Sequence, residues 1–514
     1  MTTNRDLTAT WTYHNDTKHS LQSIRSNRHS LDWENKPLPF KIYSSLAPIT
    51  LPQNTPPVQM PTLSAIAAPS GTVQGEHLPD LRTLASLLFL SAGITKLRTY
   101  PGGEVYFRAA ANTGALYHID LYLVCGDLPD LPAGVYHFGP HDFSLRRLRA
   151  GDYRNVLIRA SGDEHTVKHA PVTLICTSTY WRNAWKYQAR TYRHCFWDAG
   201  TLLANFLAAA TAQDVPTQVV AGFVDAEVNQ LLGLDTAREM VVALLPLGCT
   251  ASSAPSIFPD LTVLDLPTVP LSGHEVKYPA ICTMHAASSL LSAEEVRIWR
   301  NGTVHQTEET QTSGKLFPLT PLNVAELPPA PLERVIRHRG SARKFSHVPI
   351  RFTQLSTILQ RSTHGVPTDF LTPFGATLID VYLVVNAVEG LPSGAYFFHR
   401  EQQTLALLRE GNFRKEAGYL GLGQELPADA SVNIFCLANL PSILERFGNR
   451  GYRAAQLEAA TIGGKCYLAA YALELGATGL TFFDDDVTVF FSPHAEGRSV
   501  MFLTAIGTPA KRVA

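Results

Sequence analysis

Two arginines and a serine on alternate positions are the first residues in this sequence that could bind a ligand: Arg339, Ser341 and Arg343. They stand in RHRGSARKF, at the start of a segment with helix-forming composition. Guanidinium groups offer paired donors to phosphate oxygens, and the backbone N–H groups at a helix start favour an anion. We therefore predict that this Arg-Ser-Arg group binds one phosphate. A basic surface turn is the alternative for so short a pattern.

A second set of residues, Lys186 and Tyr187, could move a proton. A lysine deprived of water or an activated tyrosine can act as a general base during catalysis. Adjacent lysine and tyrosine also occur on surfaces without any role, so the pair needs support from elsewhere in the chain.

A long internal repeat provides that support. IDLYLVCGDLPDLPAGVYHF at 119–138 returns as IDVYLVVNAVEGLPSGAYFF at 379–398, and KYQARTYRHCFWDAGT at 186–201 returns as RFGNRGYRAAQLEAAT at 446–461. Both offsets are 260, because 379 − 119 and 446 − 186 give the same value. The same offset pairs Asp225 with Asp485. A repeat this long predicts two domains of one fold, arranged as a fused dimer about an internal pseudo-twofold axis.

The two copies differ at both sets of residues. With one gap in the alignment, the first copy has no arginine opposite the Arg-Ser-Arg group, the aligned residues being Ala68, Ser70 and Thr72. The second copy replaces the Lys-Tyr pair by Arg446 and Phe447, which provide neither a base nor a hydroxyl group. Each copy supplies what the other lacks, which predicts one composite site and one degenerate site.

Composition excludes several classes of protein. With 514 residues the chain exceeds the roughly 250–300 residues of one core, and with 45% hydrophobic residues and a net charge of −1 it gives no reason to expect nucleic acid or an anionic membrane as a partner. No apolar run approaches the roughly 20 residues of a membrane span, so we expect a cytoplasmic protein without membrane contact. The seven cysteines are scattered singly, and we predict no metal site.

The elements that position these residues recur in both halves. Apolar patterns predict a helix, two strands, a long helix and a closing strand in the same order in each half. Helices and strands alternate irregularly and no βαβ phosphate fingerprint is present, which favours an α+β fold. We divide the chain into an irregular arm (1–60), a first domain (61–250), a connecting segment (251–330) and a second domain (331–514).

These motifs together resemble the nitroreductase superfamily, in particular the SagB-type FMN-dependent dehydrogenases related to azoline oxidases. The resemblance rests on RxSxR at the start of a domain, on RAAANTGALYHIDLYLV at 108–124, on KYxxRxYR at 186–193 and on the opening YHNDTKHS and LDWENKPLPFKIY. It implies two tandem nitroreductase-like domains that form an intramolecular pseudo-dimer with FMN between the halves.

The resemblance also implies roles for single residues. It implies that the Arg-Ser-Arg group and the basic pair Lys511 and Arg512 bind the FMN phosphate. It also implies that residues of both halves contact the flavin ring. In the second half these are Thr478, Gly479 and Leu480, and in the first half they form the loop of Asn112, Thr113, Gly114 and Ala115. The family usually begins that loop with Pro-Ser and ends it with proline, whereas this chain has Ala111, Asn112 and His118 there.

The Lys-Tyr pair resembles the catalytic motif of azoline oxidases. It implies oxidation of an azoline-type ring in a small-molecule, peptide or carrier-bound intermediate, with hydride passing to flavin N5, the proton to Tyr187 or Lys186, and O₂ reoxidising the flavin. Biosynthetic partner proteins fit this interpretation. Two alternatives stay open: an NAD(P)H-dependent reductase of nitro, enone or flavin substrates, and a cofactor-free scaffold homologue. The repeated Tyr192–Arg193 and Tyr452–Arg453 are interpreted as folding or interface residues.

Overall fold

The computed structural model describes residues 3–68, 75–100, 103–251, 260–301 and 314–510. Each half is built around one main antiparallel sheet covered by helices, with a smaller two-stranded sheet beside it, which confirms the α+β prediction. The strands in the middle of the sheets are mostly buried because helices and loops cover both faces, and β4 of the first half (Ile119–Cys125) is buried along its whole length. No helix in the described part of the chain is long and apolar enough to cross a bilayer.

The first half contains nine helices and eight strands among the described residues. The strands are β1 (Pro48–Thr50), β2 (Ile94–Tyr100), β3 (Gly103–Arg108), β4 (Ile119–Cys125), β5 (Gly134–Gly139), β6 (Ser144–Ala150), β7 (Val172–Thr179) and β8 (Glu239–Leu247). The helices are α1 (Thr8–Asp16), α2 (Leu21–Ser26), α3 (Thr62–Ala65), α4 (Leu81–Ala92), α5 (Arg154–Ala160), α6 (His165–His169), α7 (Tyr180–Tyr187), α8 (Thr191–Thr211) and α9 (Asp225–Leu232). The sheet order is β1-β6-β5-β4-β7-β8, and β2 and β3 form a separate hairpin.

The connecting segment and second half follow the same plan. Two helices connect the halves: α10 (Pro279–Ala287) and α11 (Ala293–Arg300). The later helices are α12 (Leu332–His338), α13 (Phe352–Ser362), α14 (Arg414–Leu420), α15 (Glu425–Asp429), α16 (Leu440–Phe447), α17 (Arg450–Ala472) and α18 (Asp484–Phe491). The later strands are β9 (Leu316–Pro318), β10 (Ile350–Arg351), β11 (Ile379–Val385), β12 (Val388–Glu389), β13 (Gly394–His399), β14 (Thr404–Glu410), β15 (Val432–Ala438), β16 (Gly476–Leu480) and β17 (Ser499–Gly507). The main sheet order is β16-β17-β15-β11-β13-β14-β9.

The pseudo-twofold axis passes between the two long helices α8 and α17. A methyl group added at Gly200 would lie 2.6 Å from Cβ of Ala460, and one added at Gly464 would lie 2.6 Å from Cβ of Ala204. Each contact joins two positions of the repeat, since 460 − 200 and 464 − 204 both equal 260. Glycine is required here because the helix backbones approach too closely for a larger residue.

Backbone hydrogen bonds repeat the symmetry beside α3 and α12. Thr62 N–H donates to the Ala330 carbonyl (2.9 Å), and Leu332 N–H donates to the Met60 carbonyl (3.0 Å). Donors and acceptors are exchanged between the halves, as expected of an interface between two copies of one fold.

Two buried ion clusters connect the halves across the same interface. Asp484 accepts from Arg190 (3.0 Å) and Arg193 (2.5 Å), and Asp225 accepts in the same way from Arg450 (2.6 Å) and Arg453 (2.7 Å). The interface role of the repeated arginines is thereby confirmed. The alignment of Asp225 with Asp485 was wrong: Asp484 is the counterpart, because the second half is one residue shorter before α18.

The prediction of an irregular arm was wrong for its first part. Helix α1 buries Tyr13 against Tyr192 and Tyr452, one tyrosine from each half. The helix buries polar as well as aromatic side chains, so no apolar stripe marked it in the sequence. The connecting segment also contacts both halves, since Trp299 of α11 donates to the Phe447 carbonyl (3.0 Å) and Ser288 bonds Tyr192 (2.8 Å).

Candidate active site

The Arg-Ser-Arg group lies in a loop of the second half, immediately after α12. The expected position at a helix start was wrong. The helix is formed by the preceding LERVIRH, and Arg339 is its C-terminal cap residue. No helix N-terminus therefore assists these side chains. Their charge and hydroxyl donors remain, with Arg343 exposed and Ser341 half-buried.

Arg339 connects this loop to the first half. Its Nε donates to the carbonyl of Ala109 (3.0 Å) and its Nη2 to the carbonyl of Arg108 (3.2 Å). These carbonyls directly precede the loop that begins at Asn112. Two of the five N–H donors of Arg339 are thus used to hold the two halves together.

The Arg-Ser-Arg loop also lies against β16, the strand expected along the flavin ring. Ala342 N–H donates to the Ala477 carbonyl (2.9 Å), and Ser341 Oγ lies 3.3 Å from the Tyr467 hydroxyl. The same hydroxyl accepts from the N–H of Gly479. A side chain at Gly476 would lie 3.3 Å from Cβ of Ala342, so glycine lets the loop approach the strand. Thr478, Gly479 and Leu480 are therefore placed beside the predicted phosphate residues.

Two side chains hold the loop of the first half, the amide of Asn112 and the carboxylate of Asp198. Asn112 Oδ1 accepts from the N–H groups of Leu116 (3.1 Å) and Tyr117 (2.7 Å). Asp198 accepts from both N–H and Oγ1 of Thr113 (2.9 and 2.6 Å). Gly114, Ala115 and Tyr117 all have positive φ, near +64°, +54° and +49°. Non-glycine residues rarely adopt this conformation, and such strain often accompanies a functional loop.

Tyr187 lies directly over this loop. A methyl group at Gly114 would lie 2.9 Å from the Tyr187 hydroxyl oxygen, so the glycine makes room for the phenol. The ring contacts His194 edge to face at 4.6 Å, and His194 Nδ1 lies 2.8 Å from Asn183 Oδ1. Burial, followed by the charge of Arg190, keeps the pKa of His194 well below its usual value. His194 is thus a neutral support for Tyr187 rather than a base.

Lys186 and Tyr187 differ in how readily they lose a proton. Partial loss of water around the ammonium group lowers the pKa of Lys186, and the charge of Arg343 lowers it further. Burial and the neighbouring Asp198 raise the pKa of Tyr187. The structure therefore favours a neutral Tyr187 hydroxyl beside a lysine that gives up its proton more easily than usual. The charge of Arg343, in the second half, thus acts on Lys186 in the first half.

The residues around β16 fit a flavin mononucleotide in their donor chemistry. A cation and a hydroxyl stand at one end, small residues line the strand, and the Thr481 hydroxyl after β16 is buried without a hydrogen-bond partner among the described residues. An unsatisfied buried hydroxyl favours a polar ligand at this place. Lys511 and Arg512, the other predicted phosphate residues, lie outside the described residues, as do Ser70 and Thr72.

The counterpart of this site in the first half is filled by the chain itself. Val219, which aligns with Gly479, donates to the Pro367 carbonyl (2.9 Å) and accepts from Asp369 N–H (3.1 Å). The Asp369 carboxylate then accepts from the N–H groups of Ala221 (2.8 Å) and Gly222 (2.9 Å). In the first half this edge is thus covered by a backbone segment of the second half, whereas β16 is bonded at Ala477 to Ala342 N–H and at Gly479 to the Tyr467 hydroxyl.

This closure was not predicted from the sequence. The segment between α13 and β11 is shorter than the segment between α4 and β4, which instead forms the β2–β3 hairpin, and that difference was the available signal. Asp198 was also missed, although it holds Thr113 and His118 Nε2 (2.7 Å). Its repeat partner Glu458 accepts a hydrogen bond from Leu378 N–H (2.8 Å). An acidic residue at both repeat positions was therefore the available signal in the sequence.

The comparison with protein families matches the nitroreductase family twice, over residues 79–249 and 336–504. The chain belongs to the nitroreductase family. Both matches fall on the two halves described above, so this family member carries two nitroreductase domains in tandem. The precise domain limits 61–250 and 331–514 stay a prediction.

Similar proteins extend this assignment. A crystal structure from Anabaena variabilis, described as a nitroreductase, is 27% identical, covers 98% of this chain and 99% of its own, and gives a TM-score of 0.76. A protein of Methanocaldococcus jannaschii named as a nitroreductase is 27% identical over 168 residues, which is 33% of this chain and 80% of that protein. The E. coli microcin synthetase McbBCD complex is 20% identical over 47% of this chain and 87% of its own, at a TM-score of 0.31, too low to support an argument.

Proposed function

We propose that this nitroreductase-family protein is an FMN-dependent oxidoreductase with one working site per chain, which oxidises an azoline-type ring in a peptide or carrier-bound intermediate. The observation that carries the single site is the contrast between β16 and its counterpart, which is hydrogen-bonded to Pro367 and Asp369. The Lys-Tyr pair of the composite site supports oxidation as the direction of the reaction. O₂ is proposed as the electron acceptor.

Bound FMN would supply the hydride acceptor of this reaction. Arg343 and Ser341 would hold its phosphate, and Thr478, Gly479 and Leu480 would line its ring, with the loop from Asn112 to Ala115 closing the other face. Lys186 takes the proton from the substrate, because its pKa is lowered, and the neutral Tyr187 hydroxyl donates a hydrogen bond that orients the substrate. The strained loop and Asp198 keep Gly114 beneath that hydroxyl.

We expect close to one FMN per chain in the purified protein. The counterpart site lacks both arginines, and residues 367–369 cover its ring-binding edge, so we expect no second flavin to bind there. The measurement is flavin absorbance after release from protein of known concentration. Two FMN per chain would contradict the composite-site proposal.

Arg343→Ala is expected to weaken FMN binding by about tenfold to a hundredfold, because a charge-assisted hydrogen bond to phosphate contributes about 1.5–3 kcal/mol. Equilibrium dialysis or fluorescence quenching of FMN measures the change in Kd. Arg334→Ala is the matched control, since Arg334 is also exposed and lies on the neighbouring α12. Equal affinities in the two variants would remove Arg343 from the phosphate site.

Two alternative functions predict different behaviour. An NAD(P)H-dependent reductase would be reduced rapidly by NADPH without oxygen, whereas the proposed dehydrogenase would be reduced by its azoline substrate. A cofactor-free scaffold would stay colourless after refolding with excess FMN. The buried, unpartnered Thr481 hydroxyl favours a site built for a ligand over the scaffold.

A further inference from the structure

A large cavity of about 1350 Å³ lies in the second half, away from the composite site. It is bounded by the loop from Thr372 to Leu378, by α16 and by the ends of β11 and β13. Four arginines line it: Arg5, Arg400, Arg446 and Arg498. Aromatic side chains stand between them, among which Phe374 is 43% exposed. Neither the phosphate nor the proton residues of the proposed reaction line this cavity.

In the first half, the corresponding groove holds the amino-terminal arm in an extended, irregular conformation. Trp185 Nε1 donates to the Asp32 carbonyl (2.8 Å), Phe40 contacts His141 with 5.6 Å between ring centroids, and Tyr43 contacts His137 at 5.1 Å. At the repeat offset of 260 these three groove residues become Glu445, Glu401 and Phe397. All three line the cavity of the second half. The cavity is therefore the second copy of a groove whose first copy binds a peptide segment.

The two grooves differ in charge at the position that fixes the arm. Lys41 of the arm donates to Glu239 (2.6 Å) and to the Tyr122 hydroxyl (2.8 Å) in a buried cluster. Strand pairing places Arg498 where the first half has Glu239, because Ser499 pairs with Ala438 as Met240 pairs with Ser178. Arg498 is paired with Asp380 (2.6 Å). Four arginines and three carboxylates, those of Asp380, Glu401 and Glu445, line the cavity, so its charged side chains sum to +1. A segment in this groove would meet an arginine where the arm meets a carboxylate.

We propose that this groove binds an extended acidic peptide segment of another protein, with a carboxylate at Arg498 and an apolar or aromatic side chain at Phe374 and Phe397. The arm of a second copy is disfavoured, because its Lys41 would face Arg498 with like charge. The inference rests on the symmetry and charge of the groove and does not depend on the proposed redox reaction.

The test uses two labelled peptides with the sequence of residues 31–43, LDWENKPLPFKIY, and its Lys41→Glu form. Fluorescence anisotropy with the full chain measures their Kd. We expect the Glu peptide to bind in the micromolar range and at least about tenfold more tightly than the Lys peptide, since like-charge contacts at an interface are strongly unfavourable. The Arg498→Glu variant should reverse the preference, because it recreates the carboxylate of the first groove.

A second variant keeps the proposal testable if Arg498→Glu fails to fold, since that change also removes the ion pair with Asp380. Arg400→Gln should weaken the Glu peptide about threefold or more while leaving flavin absorbance unchanged. The proposal is overturned if neither peptide binds below about 1 mM, if both bind equally, or if Arg400→Gln leaves the Glu peptide unaffected. Stronger binding of the Lys peptide would instead indicate association between copies of this chain.

Discussion

Lys186→Met is expected to lower turnover by about 10²–10⁴-fold and to leave FMN bound, which is the usual loss when a general base is removed. Lys186 is the better base of the pair, because partial burial and Arg343 lower its pKa while burial raises that of Tyr187. The measurement is the rate of flavin reduction by substrate without oxygen. Tyr187→Phe should reduce the rate less, since it removes a hydrogen-bond donor but leaves the base in place.

The pH profile separates this role from a structural one. A lysine acts as a base only after losing its proton, so the rate of the unmodified protein should rise with pH through a pKa below the usual lysine value of about 10.4. Lys186→Arg keeps the positive charge but stays protonated, and it should abolish both the activity and this rise. An unchanged profile in Lys186→Arg would exclude Lys186 as the base.

Asp484→Ala is expected to destabilise the protein by about 3–5 kcal/mol, because it leaves two guanidinium groups buried without their carboxylate. Arg190 and Arg193 both donate to Asp484, and these two charges hold the pKa of the carboxyl far below its usual range. Urea denaturation followed by near-ultraviolet circular dichroism measures the free energy of unfolding. Asp225→Ala, the symmetry-related change, should lower the free energy of unfolding by a similar amount.

The adjacent Asp485 provides the control. It pairs with Lys18 at the surface with 73% of its side chain exposed, so Asp485→Ala should cost at most about 1 kcal/mol. The contribution of Asp484 should be fully present above its unfolded pKa of about 4 and be lost as pH falls further, because the folded pKa is the lower one. Equal unfolding of the two variants at pH 7 would show that the cluster does not stabilise the interface.

The repeat made the fold predictable from sequence. Positions 260 apart identified two copies of one domain, and unequal residues at equivalent positions, such as Lys186 against Arg446, indicated that only one composite site was complete. The inference of two domains succeeded because strand and helix patterns depend on local side-chain periodicity, and the single complete site stays a prediction. The same comparison also revealed the interface arginines, since Arg193 and Arg453 recur in both halves.

Contacts between distant segments could not be predicted in this way. The closure of the second site depends on Asp369 meeting Ala221 and Gly222 across the interface, which no local pattern encodes. Helix α1 was missed because its buried face includes polar side chains such as Thr10, which bonds Asn449 of the second half (2.6 Å). In both cases hydrogen bonds between distant segments contribute to the contact, and these leave no apolar stripe in the sequence.

The amino-terminal segment also sets an order for folding during synthesis. Asn4 donates to the Phe447 carbonyl (3.1 Å) across a sequence separation of 443 residues, and Asn449 donates to the carbonyl of Asp6 (2.8 Å). At a translation rate of about 5–20 residues per second, roughly 20–90 seconds pass between the synthesis of these two partners. During that interval Tyr13 and its neighbours lack the part of their packing surface that the second half contributes, such as Tyr452. The emerging first half is therefore a natural client for chaperones until the second half leaves the ribosome.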